Sequence, residues 1–263
     1  MQVITSKDNE QIKYIKKLKD KKFRDETKEY LVEGIKLVKE AIEENVTIKM
    51  IVVCEDCDSD GSIEQSLLYE IAKYNCIYVT KKLFQSITDV VNPQGIIAVV
   101  EKGDNSDNID YSEDIILALD GIQDPGNLGT ILRTADSANL KQIILTTDCA
   151  DPYNPKVVRS TMGAIFRMNI ITTDNLQKTL QAVRKHKFEV MATSLEATKN
   201  IYNIEYRKKV IVIGNESKGV SKEIQDMADI KVKIPMLGKT ESLNASVAAS
   251  IMIYEYVRGK MSH

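Results

Sequence analysis

The chain has 263 residues, 43% of them hydrophobic and 28% charged, which is ample for a real core in one large or two modest domains. A net charge of −2 excludes a surface coated in positive charge, so any nucleic-acid contact has to be local. Only two histidines occur, His186 and His263, too few for a multi-histidine metal site; no apolar run reaches the ~20 residues that span a bilayer, and the polar start is no signal peptide, so a cytoplasmic protein without metal or membrane attachment is expected.

Residues 7–24 are the one strongly basic stretch. Lys7, Lys13, Lys16, Lys17, Lys19, Lys21, Lys22 and Arg24 stand there against Asp8, Glu10 and Asp20. Ile12, Ile15 and Leu18 recur at helical spacing, so the segment reads as an amphipathic helix with a basic outer face. Such a face is a footprint for phosphates, with Lys13, Lys16, Lys17, Lys21 and Lys22 as candidate contacts; a merely solvated face is the competing reading. Strand and helix then alternate. Tyr30–Val32 reads as a strand, a helix begins after Gly34, Ile48–Val53 is a strand and Glu64–Tyr74 a helix, with further strands at Ile77–Val79 and Ile96–Val100. Residues 1–100 thus make a small α/β domain. Within it Cys54 and Cys57 form a C-x-x-C, but Cys76 and Cys149 are solitary and no second pair closes a zinc tetrahedron. Reduced bystander thiols are favoured over a redox motif. Residues 101–112, nearly devoid of apolar side chains, read as a linker.

From 113 to 263 the alternation resumes, with strands expected at Ile115–Leu119, Gln142–Leu145, Arg167–Ile171, Glu189–Thr193, Val210–Ile213 and Ile230–Ile234. Helices lie between most of them, such as Leu128–Asn139 and Asn175–His186, which predicts a mainly parallel sheet with helices on both faces. The first crossover holds a Gly-rich loop, Asp120 to Gly129, with Arg133 off the buried stripe of the helix that follows. The spacing is not G-x-G-x-x-G, and no acidic residue ends the next strand as a dinucleotide fold requires. Val210–Ile213 empties into Gly214-Asn215-Glu216-Ser217-Lys218-Gly219, and Ile230–Ile234 into Pro235-Met236-Leu237-Gly238. These two loops are expected side by side, forming one pocket. The final helix opens with small residues after Ser242 and Asn244, both good N-cap types.

Asn127-x-Gly129-x-x-x-Arg133, then Ile213-Gly214-Asn215-Glu216-Ser217-Lys218-Gly219, then Ile234-Pro235-Met236-x-Gly238 leading to Ser242-Leu243-Asn244-Ala245-Ser246, resemble the three ordered motifs of the SpoU (TrmH-type) RNA methyltransferases of the SPOUT superfamily. Asn154 to Ala164 is similar to the family's pattern between those motifs, and the first domain resembles the ribosomal-protein-like substrate-binding domain of many members. The resemblance implies a deep C-terminal trefoil knot and a homodimer. It also implies S-adenosyl-L-methionine held around Thr193, Leu195, Gly214, Ile234, Met236 and Leu243, with Arg133, Asn127, Glu216, Ser242 and Asn244 lining the reacting end. The implied reaction moves a methyl group to a ribose 2′-hydroxyl of RNA, ribosomal RNA being favoured over transfer RNA. A guanidinium resists deprotonation, so Arg133 is expected to grip a phosphate and stabilise the forming alkoxide, with phosphate, water or Glu216 taking the proton. The competing role for Glu216 is to cap the helix after Ser221. A non-catalytic RNA-binding protein that keeps the fold is the alternative of another class, and the intact Asn127, Arg133, Glu216 and Asn244 weigh against it. A different doubly wound nucleotide enzyme is disfavoured by the missing ribose-binding acid and phosphate-loop lysine.

Overall fold

The computed structural model describes residues 3–56, 63–103 and 108–261. It divides into two compact units, Met1–Asp104 with Asp151–Phe166, and Asn105–Ala150 with Arg167–His263.

In the first unit the described elements run β1 (Val3–Ile4), α1 (Glu10–Lys17), α2 (Lys21–Thr27), β2 (Glu29–Glu33), α3 (Ile35–Glu43), β3 (Ile48–Cys54), α4 (Gln65–Ile71), β4 (Cys76–Val79), α5 (Lys81–Gln85) and β5 (Ile96–Glu101). Their strands form one sheet in the order β1-β4-β3-β5-β2, with β5 antiparallel to both neighbours and the other pairs parallel. Strand β5 lies between two others and is buried from Ile96 to Val100, hence its unbroken apolar run. One face of the sheet packs Leu31, Val52 and Val99 against Ile12, Ile15, Leu18 and Phe84. The single basic helix expected over residues 7–24 is two helices. Asp20 caps the second, accepting from the Phe23 N–H at 3.1 Å, and the carbonyls of Leu18 and Lys19 turn to the Arg24 guanidinium. Arg24 therefore leaves the expected basic face and is buried. Cys54 is also buried, while Cys57 lies outside the described residues.

The second unit follows with β6 (Ile115–Asp120), α6 (Pro125–Ser137) and β7 (Gln142–Thr146). The chain then gives α7 (Pro155–Thr161) to the first unit, where it packs against β2, and returns. The remainder is β8 (Asn169–Thr173), α8 (Leu176–Arg184), β9 (Glu189–Thr193), β10 (Lys199–Asn200), β11 (Lys209–Gly214), α9 (Lys222–Met227), β12 (Ile230–Lys233) and α10 (Ala245–Met261). The sheet order is β10-β12-β9-β11-β6-β7-β8 and every pair is parallel. Strand β8 starts at Asn169 instead of the expected Arg167, because Arg167 turns aside to bond Asp136 at 2.7 Å. The two loops expected side by side are not neighbours. Strand β9 stands between β11 and β12, so its own end, Thr193 to Leu195, lies between them. The residues leading into β6 are pinned to this unit. Gln142 brackets Asp110 with two hydrogen bonds, Lys208 donates to the carbonyls of Tyr111, Ser112 and Glu113, and Tyr111 stacks on His186 at 3.5 Å.

Candidate active site

Successive crossovers carry the chain from β6 to β7 and β8 on one side, and to β11, β9 and β12 on the other. The order reverses between β6 and β11, and in open α/β sheets ligands bind at the strand carboxyl ends beside such a point. Strand β6 ends at Asp120, and Gly121, at φ +76°, turns the chain toward α6. Asp124 then caps that helix, accepting from the Asn127 N–H at 2.8 Å, with Pro125 in its first turn. Strand β11 ends at Gly214, where a Cβ would sit 2.0 Å from the carbonyl carbon of Gly219 and from the nitrogen of Val220. Only glycine fits, because the loop doubles back over it: Asn215 and Gly219 exchange backbone hydrogen bonds at 3.0 and 2.9 Å. The Asn215 side chain accepts from Ser217 and Lys218 N–H and donates to the Gly121 carbonyl at 2.7 Å, fastening the β11 loop to the β6 loop.

Three motif residues meet directly. Asn244 donates its amide to the Asn127 Oδ1 at 2.9 Å, and Asn127 donates in turn to the Glu216 carboxylate at 2.9 Å. The backbone N–H groups of Gln123 and Asp124 also donate to Glu216, at 3.3 and 3.2 Å. Both amides are oriented by their surroundings. Asn244 Oδ1 is occupied as the cap of α10, accepting from the Ser246 and Val247 N–H groups, so its nitrogen has to face Asn127. Burial opposes the charge on Glu216. The hydrogen bonds from Asn127 and the backbone outweigh it, and the carboxyl titrates below the ordinary glutamate range. Glu216 thus serves the start of α6 and not the helix after Ser221, the capping role that competed with a part in the site. In the same way Asn244, not Ser242, caps α10.

The other expected residues divide. Thr193 sits at the end of β9, its hydroxyl donating to the Val212 carbonyl on β11 and its carbonyl accepting from Gln225 on α9. Ser194 donates to the Val232 carbonyl, so that turn is tied to both neighbouring strands. Ile234, Met236 and Leu243 are half-buried; Leu195 is exposed, as is Leu237, at 100%. These loop ends offer apolar side chains, which suits an adenosine and a methionine chain better than it suits phosphates. Ser242 is exposed. Arg133, in the third turn of α6, is exposed as well, and among the described residues it has no ion-pair partner. No described hydrogen bond links either to the Asn244–Asn127–Glu216 chain. Three contributors went unnoticed in the sequence: Asn215, Asp124 and Gln225. The first two were readable, Asp124 as a cap ahead of Pro125 and Asn215 as an Asx-turn residue in a Gly-bounded loop. Gln225 carried no local signal. Among the described residues no group of His, Cys, Asp or Glu is arranged to hold a metal ion.

An open parallel sheet with its polar cluster at the switch point, and apolar loop ends beside it, defines an α/β domain built to hold a nucleoside-bearing ligand. Over residues 114–254 the chain matches the SpoU rRNA methylase family, and it belongs to that family. Residues 9–98 match the MRM3-like substrate binding domain. The chain is 31% identical over 260 residues to the 23S rRNA (guanosine(2553)-2'-O)-methyltransferase RlmP of Bacillus subtilis (strain 168), covering 98% of this chain and 100% of that one. Among solved structures, the AdoMet-bound rRNA methyltransferase of Sinorhizobium meliloti superposes with a TM-score of 0.86 at 32% identity, over 98% and 97% of the two chains. An RNA 2'-O ribose methyltransferase superposes with a TM-score of 0.84 at 26% identity, over 99% of this chain and 100% of its own.

Proposed function

We infer that this chain is an RNA ribose 2′-O-methyltransferase that uses S-adenosyl-L-methionine and acts on ribosomal RNA. The observation that carries the reading is the hydrogen-bonded chain Asn244–Asn127–Glu216, which ties the three motif loops together beside the switch point of the sheet. Bound at the ends of β9, β11 and β12, S-adenosylmethionine supplies the methyl group. Thr193, Leu195, Gly214, Ile234, Met236 and Leu243 are the residues that hold it, mainly through backbone and apolar contact.

The protein's share of the chemistry is positioning and charge. A ribose hydroxyl is a weak nucleophile until its proton leaves or its developing charge is stabilised. Arg133, exposed and without an ion-pair partner among the described residues, is free to grip the neighbouring phosphate and stabilise that charge. Glu216 is a poor proton acceptor, since its hydrogen bonds hold the carboxyl below the usual range; it fixes Asn127 and the start of α6 instead. Phosphate or water then takes the proton. Ser242 completes the reacting end with Asn127 and Asn244.

The rest of the reading concerns assembly. The lysines of α1 and α2, Lys13, Lys16, Lys17, Lys21 and Lys22, contact RNA phosphates; Lys13, Lys17, Lys21 and Lys22 are exposed and Lys16 half-buried. Residues 1–100, completed by the returning segment Asp151–Phe166, form the RNA-binding domain, 101–112 lead from it, and the rest of 113–263 is the methyltransferase domain. The exposed Val247 and Tyr254 on α10 form part of a homodimer face, and the buried small residues Ala245, Ser246 and Ala249 leave room for the close packing of a trefoil knot. No described helix is long and apolar enough to cross a membrane, and the enzyme works in the cytoplasm with its RNA. Incubating the pure protein with methyl-labelled S-adenosylmethionine and a large-subunit ribosomal RNA transcript, then mapping 2′-O-methyl sites, tests the proposal. One methylated ribose in that transcript is the expected result. No incorporation, or incorporation into transfer RNA alone, overturns it.

A further inference from the structure

Arg24 is 2% exposed, and each part of its guanidinium is used. Its Nη1 donates to the carbonyls of Leu18 at 2.8 Å and Lys19 at 2.7 Å, the two groups released where α1 stops and α2 begins. Its Nε and Nη2 both donate to Oδ2 of Asp151, at 3.1 and 2.5 Å. Asp151 is held in turn: its Oδ1 accepts the Tyr153 N–H at 3.1 Å, and the Tyr153 ring packs 4.9 Å from that of Tyr30 on β2. The elbow of the two basic helices is therefore wrapped around one side chain, anchored by a residue that arrives 127 positions later in the chain.

Stability alone does not call for this arrangement. Removing two ionic groups from water costs several kcal/mol per ion, and well-packed apolar side chains of similar volume are often as stable or more so. The elbow also gathers like charges: Lys16 and Lys17 end α1, and Lys21 and Lys22 open α2. A planar guanidinium that serves two carbonyls and a carboxylate at once fixes geometry, which a point charge on a flexible stem does not.

We propose that Arg24 and Asp151 are positioning residues for RNA: their buried pair locks the α1–α2 elbow so that Lys16, Lys17, Lys21 and Lys22 meet the phosphate backbone in one register. This rests on the reading of those helices as the RNA surface. Neither residue touches RNA. Both act through the lysines.

The test uses the full chain and a large-subunit ribosomal RNA transcript, reading RNA KM, kcat, cofactor affinity and melting temperature together. Arg24→Lys keeps the charge and removes the fork; the paired Arg24→Met and Asp151→Leu variant removes both ions and keeps an apolar filling. In each, RNA KM rises about tenfold, the scale of one lost charge-assisted contact, while kcat at saturating RNA and cofactor affinity stay near wild type. The apolar pair retains its melting temperature. A variant neutralising Lys16, Lys17 and Lys21 runs in parallel and flattens the dependence of log affinity on log salt by roughly two units. If the lysine variant loses RNA affinity but the stably folded apolar pair does not, the positioning role is wrong and the RNA surface stands. If the lysine variant binds RNA as wild type does, the surface and the positioning role are both wrong.

Discussion

Glu216 looks like a general base placed beside the reacting end, and its surroundings make it something else. Three groups on the start of α6 and its loop, the Gln123 and Asp124 N–H groups and the Asn127 amide, are organised by this carboxylate, and their hydrogen bonds keep it ionised. Because its folded pKa lies below the unfolded one, it contributes stability in full above the ordinary glutamate range, and that contribution fades as pH falls through the lowered value. Glu216→Gln should therefore melt below wild type at pH 7, with the gap closing as the pH is lowered through and below the ordinary glutamate range. A gap that stays constant with pH would show that the charge is not what matters. Asn127→Ala breaks the chain from both sides and should cost about 1–3 kcal/mol, the range for leaving buried partners unpaired, measured by denaturant unfolding. Arg133 gives the contrasting case. Nothing described leans on it, so Arg133→Ala should leave stability and cofactor affinity intact while single-turnover methyl transfer falls by about 10²–10³. Arg133→Lys should recover little of that, since the planar two-pronged grip is gone. Normal transfer by Arg133→Ala would remove it from the catalytic set.

At the scale of elements, strand and helix positions were legible because the period of the apolar residues announces them. The strand expected at Glu189–Thr193 is found there, Val210–Ile213 is longer by one residue at each end, and Ile230–Ile234 stops one residue earlier. What the sequence withheld is order across the sheet. Nothing in β9, β11 or β12 says that β9 lies between the other two, since crossover helices set that order and all three strands are similar apolar runs. The break between α1 and α2 was hidden for a related reason: helical periodicity continues through Ile12, Ile15 and Leu18, and the residue that draws the carbonyls away gets its partner from far along the chain. The site residues were legible as motifs, and their contacts only in part. Gly214 shows how tightly loop and strand are coupled. Gly214→Ala forces a methyl group into the backbone of Gly219 and Val220 and should destabilise by about 1–3 kcal/mol or more, with cofactor affinity falling alongside. Calorimetry and thermal melting on the same sample would expose the error if either were unchanged.

For the whole molecule, the most consequential fact is that the first unit is discontinuous. A fragment of residues 113–263 contains every motif loop, yet it also carries Asp151–Phe166, whose buried Tyr153, Val157, Val158, Ala164 and Ile165 belong to a unit the fragment lacks. That fragment should bind a hydrophobic dye and aggregate unless residues 151–166 are replaced by a short polar loop. Equal solubility of the two fragments would contradict the division into units.

The same discontinuity has a bearing on how the protein is made. A ribosome delivering about 5–20 residues per second releases residue 104 several seconds before residue 166. Through that interval Arg24 waits without Asp151, and β2 lacks the helix that covers it. The N-terminal unit is thus the first begun and cannot be the first finished. Its completion comes only after β6, α6 and β7 have left the ribosome, so the basic elbow takes its final shape on a chain that already carries the loop between β6 and α6.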